Sequence, residues 1–179
     1  MKVIKKLAAI FDQTLNVMAF LAGLLIVFAT LSIGVAIASR YFLGRPIGWV
    51  IEVSAYILLY VTFLVAPWVL REEGHITIDV AVDLLNPKAK SLINFITSTI
   101  GAIVFLLLAW YGAKVTWNMF QVGYFTDTML ELPKFVIIGI ISLGSFMFFI
   151  QLLRRAFSFL WSYRMSIDKE QEIKLNHEL

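Results

Sequence analysis

Charge disappears from this chain four times, each time for about the length needed to cross a bilayer. No charged residue lies between Asp12 and Arg40. The run 53–70 is uncharged up to Arg71, and residues 49–51 beyond Glu52 bring it to spanning length. Residues 91–113 lie between Lys90 and Lys114, and residues 135–153 between Lys134 and Arg154. At 1.5 Å per residue, about 20 apolar residues cover about 30 Å of hydrocarbon. Within hydrocarbon only helices and closed barrels satisfy their own backbones, and runs this long are helices. The pattern predicts an all-α integral membrane protein in a single membrane domain. Its four transmembrane helices fall near 14–39, 49–70, 91–113 and 135–153.

The segments between the runs read differently. Val3, Ile4, Leu7, Ala8 and Phe11 share one helical face, with Lys2, Lys5 and Lys6 largely off it. Residues 1–11 therefore suit a helix lying in the interface, or a basic flank of the first span. Ala36-Ile37-Ala38 resembles a signal-peptide cleavage site. The run before it is far longer than an h-region of about 7–15 residues, and three more spans follow, so it is read as a span. A charged corner, Leu70-Arg71-Glu72-Glu73-Gly74-His75-Ile76-Thr77-Ile78-Asp79, follows the second run without a gap. Residues 76–85 alternate apolar and polar like a strand. An isolated strand at a membrane surface leaves its backbone unpaired, so a short interfacial helix ending before Pro87 is preferred. Residues 164–179 are polar and read as a cytoplasmic tail.

Composition supports the membrane reading. The chain is 60% hydrophobic and 15% charged, against roughly 45–50% and 25% in soluble domains. Lys and Arg set the direction. The N-terminus (Lys2, Lys5, Lys6), the second connection (Arg71, Lys88, Lys90) and the tail (Arg154, Arg155, Arg164, Lys169, Lys174) hold eleven. The first and third connections hold four: Arg40, Arg45, Lys114 and Lys134. The positive-inside rule then puts both termini in the cytoplasm. Tyr41, Phe42, Trp49, Trp110, Tyr111 and Trp117 mark the outer level, and Trp68, Trp161 and Tyr163 the inner one. Any one of these rings is equally well explained as core packing. The net charge of +3 does not argue for nucleic acid, because the basic residues sit beside apolar runs.

Little in the chain carries chemistry. Without cysteine there is no disulfide, thiolate ligand or thiol nucleophile. His75, Asp79 and Asp83 follow helical i, i+4, i+8 spacing, but one histidine and two carboxylates make a weak metal set, and no metal is expected. His75 and His177 lie outside the spans, which excludes haem ligation within them; no cofactor is expected. No nucleophile–base pair or phosphate loop is found, so an enzyme is not expected. The span interiors hold no Asp, Glu, Lys, Arg or His, the usual marks of an ion pathway. Glu52 comes nearest. It lies three residues from Trp49, roughly 4.5 Å along a helix, at the outer interface, either solvated, paired with Arg45, or in contact with a partner. Small residues recur at i, i+4: Ala19 and Gly23; Thr30, Gly34 and Ala38; Thr97 and Gly101; Ser98 and Ala102. They allow close helix packing, within the chain or against a second protein.

The order Arg40-Tyr41-Phe42, Trp49, Glu52, Thr62-Phe63-Leu64, then Leu70-Arg71-Glu72-Glu73-Gly74-His75-Ile76 and Asp79 resembles the small membrane subunit of tripartite ATP-independent periplasmic (TRAP) transporters, the DctQ type. Length, span number and orientation extend the resemblance over nearly the whole chain; its specific part covers residues 40–79. Two features depart from the family pattern. Glu52 has no neighbouring acid where a glutamate pair is usual, and residues 139–144 lack the proline common in the last span. The resemblance implies a non-catalytic subunit of the bacterial or archaeal inner membrane. Its partners would be a large multi-span subunit carrying substrate and sodium, and an extracytoplasmic binding protein. Typical substrates are organic acids such as dicarboxylates or sialic acid. On this reading Arg40, Arg45, Trp49 and Glu52 face the docking side. Arg71, Glu72, Gly74, His75 and Asp79 anchor the inner corner. Two alternatives remain: a stand-alone four-helix proton-coupled exporter, and a structural membrane protein unrelated to transport.

Overall fold

A computed structural model describes residues 2–45, 47–73 and 87–177, with side chains at 6–45, 47–72, 90–161 and 163–164. Gly74, His75, Asp79 and the expected 76–85 helix lie outside the described residues. Four helices carry the described fold: α1 (Lys2–Leu43), α2 (Trp49–Glu73), α3 (Pro87–Val122) and α4 (Lys134–His177). All four are long and apolar enough to cross a membrane, and the chain is an all-α integral membrane protein. Both terminal helices outrun their spans. Residues 2–11 continue into the first span as one helix, and α4 carries the tail on to His177.

Seven hydroxyls along the helices are satisfied locally, while that of Ser145, fully buried in α4, has no partner among the described residues. Thr14, Thr30, Ser54, Thr62, Thr97, Thr99 and Thr116 each donate to the carbonyl four residues back. This removes a donor from hydrocarbon without needing a neighbour. Two hydroxyls reach across instead. Tyr60 donates to Val136 O at 2.7 Å, joining α2 to α4, and Ser142 donates to Ala109 O at 2.9 Å, joining α4 to α3.

The helices form an open row, α1–α2–α4–α3, whose largest interface is between α3 and α4. At Gly112 an added Cβ would lie 3.3–3.5 Å from Ser142. The approach of α2 to α4 is tighter. Pro67 has no N–H, so the Phe63 carbonyl lacks its helical donor. That carbonyl lies 2.5 Å from where a Cβ on Gly144 would stand. Only glycine lets the two backbones meet there.

One core cluster sits where α1, α2 and α4 converge: Leu15, Met18, Ala22 and Leu64, flanked by Ile140 and Met147. Beyond Ala22 no residue of α1 is buried. The small residues separate accordingly. Gly101, Ser98 and Ala102 pack within the chain, Gly101 against Leu152. Gly23 and Gly34 face open space, Thr30 and Ala38 are exposed, and Ala19 is half-buried.

Candidate functional site

Polar side chains gather at the two ends of the row. At the end that the Lys and Arg counts place outside, the α3–α4 connection folds into a compact hairpin. Gly123, at φ 64°, closes α3. Its N–H reaches Phe120 O, and the next N–H, of Tyr124, reaches Met119 O, the bond pair of a glycine-terminated helix. The neck is then laced together. Lys134 N–H donates to Tyr124 O at 3.0 Å, and Thr126 N–H to Leu132 O at 2.9 Å. Phe125 pairs with Pro133 in a single antiparallel bridge. Thr126, 7% exposed, accepts the Leu132 N–H and the Thr128 hydroxyl on its own oxygen. The Lys134 ammonium lies 4.3 Å over the Tyr124 ring.

Glu52 fastens this hairpin to α2. Its Oε1 accepts the Met129 N–H at 3.0 Å, while Oε2 is covered and without a partner. Met129 also lies close to Gly48, where a Cβ would come within 2.8 Å of its sulfur. Of the roles open to Glu52, solvated, paired with Arg45 or in contact with a partner, the structure shows none and gives it a backbone amide 77 residues on. Arg40 and Arg45 are exposed beside it, and Trp49 is partly exposed. Ser39 donates to Arg45 O at 3.1 Å, holding the first connection.

At the opposite end three helices each contribute a polar pair at helical spacing. Asp12 and Asn16 come from α1, Trp68 and Arg71 from α2, Gln151 and Arg154 from α4. Arg71 donates to Asp12 O at 3.0 Å and to Asn16 Oδ1 at 2.6 Å, and pairs with Glu72 at 2.8 Å. Trp68 Nε1 donates to the same Asn16 oxygen at 3.2 Å. Arg154 pairs with Asp12 at 2.6 Å and stacks 5.3 Å over Phe11. Asp12, Glu72, Arg71 and Arg154 balance in charge, and their contacts tie α1, α2 and α4 together. Among the described residues no cluster has a metal-ligand set.

Of the residues expected to act, the structure brings Glu52 together with the outer hairpin and Arg71 with Glu72. It does not join Arg40 or Arg45 to either cluster. Sequence reasoning missed Asp12, Asn16, Gln151, Arg154 and Met129. The i, i+4 spacing of Asp12 and Asn16 was a visible signal; their partners on other helices were not. Between the ends lie apolar surfaces, including a groove of about 700 Å³ between the outer halves of α3 and α4, lined by Trp110, Trp117, Phe120 and Phe135 among others.

Apolar spans with polar side chains collected at both ends define a multi-pass membrane protein. The family model for tripartite ATP-independent periplasmic transporters, DctQ component, matches residues 29–160, which is 132 of the 179 residues. The chain belongs to this family and is a small membrane subunit of a TRAP transporter. No curated protein matches the sequence significantly.

Proposed function

We propose that this chain is the non-catalytic small subunit of a sodium-coupled, binding-protein-dependent importer of organic acids in a bacterial or archaeal inner membrane. It braces a large transport subunit and offers part of the surface on which the extracytoplasmic binding protein docks. The family match carries the reading. Physical support comes from where charge is missing. Coupling an ion to a substrate needs polar or ionisable groups along a path, and the span interiors hold no Asp, Glu, Lys, Arg or His. Substrate and sodium are then handled by the partner. Dicarboxylates and sialic acid fit the substrate class.

The arrangement disfavours a stand-alone exporter. Such a protein needs a carboxylate deep in a span, whereas Glu52 sits in the first turn of α2 and holds an outer loop. In proteoliposomes the chain alone should show no sodium-driven or proton-driven transport, and uptake should appear only with the large subunit and the binding protein. Transport by the chain alone would overturn the proposal.

We assign Arg40, Arg45, Trp49 and Glu52 to the docking side, and Arg71, Glu72, Gly74, His75 and Asp79 to the corner that meets the large subunit. Glu52→Lys should lower uptake while leaving the complex intact. His75→Ala with Asp79→Ala should weaken co-purification of the large subunit; full recovery would remove the corner from the interface.

A further inference from the structure

The outer hairpin carries an inference that rests on, and deepens, the docking role just proposed. Glu52 is half-buried, with one carboxylate oxygen on the Met129 amide and the other covered. A carboxylate held in this way has little surface left for a docking protein. Its bond partner is the opposite: Met129 is 79% exposed, at the tip of a hairpin whose neck is fixed by the bonds at Tyr124 and Thr126. Phe125, 56% exposed, stands on the same hairpin, and residues 124–133 contain Asp127 and Glu131 but no cation.

We infer that Glu52 is a positioning residue: it pins the 124–134 hairpin over the start of α2, and the hairpin tip, not the glutamate, meets the binding protein. The hairpin surface, apolar at Met129 on the tip and Phe125 on the neck and negative at Asp127 and Glu131, fits a protein patch with an apolar centre and a lysine or arginine rim. Pinning the tip beforehand removes the ordering cost from the docking step.

The two roles separate by chemistry. Glu52→Gln removes the charge and keeps an oxygen that accepts the Met129 N–H. Glu52→Ala removes both. Met129→Pro removes the donor and keeps the charge, and Met129 does not occupy the left-handed region that would bar proline. The test uses the complex with the large subunit and binding protein, in liposomes. It reads the apparent KM for substrate delivered by the binding protein, the maximal rate, and hydrogen–deuterium exchange of the 124–134 peptide. Glu52→Ala and Met129→Pro should each raise KM about tenfold, since a hydrogen bond to a charged group is lost, with the maximal rate within about twofold of wild type. Both should speed exchange in the hairpin. Glu52→Gln should stay close to wild type in KM and exchange. Equal damage from Glu52→Gln and Glu52→Ala would overturn the inference by making the charge itself the contact. Unchanged hairpin exchange in Glu52→Ala would also overturn it. If the wild-type chain fails to assemble with a large subunit, the transporter proposal falls, and exchange in the isolated chain still reads the clasp.

Discussion

Glu52, Arg71 and Gly144 show three ways in which one residue depends on a distant segment. Arg71 ties α2 to the backbone and side chain of α1, so Arg71→Ala removes the bonds to Asp12 O and Asn16 Oδ1 and leaves Trp68 Nε1 as the cross-helix donor to Asn16. The expected loss is about 2 kcal/mol of stability in detergent, read as a lower midpoint of thermal unfolding. The Asp12–Arg154 pair should matter less. Both side chains are more than a third exposed, at 37% and 38%, and a double-mutant cycle should give a coupling of about 0–1 kcal/mol. Gly144→Ala should be the most damaging small change, because the new methyl would meet the Phe63 backbone and force α2 from α4. Overpacking of this kind costs about 1–3 kcal/mol. At this scale the sequence is legible in chemistry and not in pairing. Glu52 stands out as a carboxylate at a span end, whereas Asp12 reads only as the boundary of an uncharged run and Asn16 goes unnoticed. Nothing in the residues around position 52 points to an amide at position 129. Its pairing depends on how the α3–α4 connection folds back.

The four helices were readable from hydrophobic runs alone, since an uncharged stretch of spanning length has few other solutions in a membrane. Their ends were not. Residues 2–11 and the polar tail were set apart because their composition differs from the spans, yet each continues the neighbouring helix. Helix propagation across an interface requires only that backbone bonds continue, which composition does not report. The small-residue stripes were ambiguous for a similar reason: spacing shows that a close approach is possible and leaves its partner open. The α3 stripe is used against α4, while Gly23 and Gly34 on α1 meet nothing within 4 Å. This divergence makes a prediction about α1. Gly34→Leu should leave the thermal stability of the isolated chain unchanged. If α1 packs on the large subunit, the same substitution should reduce recovery of the complex; equal recovery would assign that face to lipid.

The whole molecule is an open row of helices fixed by polar clusters at its two ends and by close backbone contacts between them. The inner cluster locks α1, α2 and α4 together, and the outer hairpin is held to α2 by Glu52. Only 6% of the most apolar window of α1 is buried within the chain. Such a frame suits a brace, and the absence of charged side chains from the span interiors suits a subunit that leaves ion and substrate to its partner. The central claim is that partnership. Purification of the tagged chain from its native membranes in mild detergent, followed by mass spectrometry and mass determination of the particle, tests it most directly. The account predicts a stable complex with a large multi-span TRAP subunit in equal amounts. Recovery of the chain as a functional particle on its own, with that subunit present in the same membranes and not bound, would contradict it.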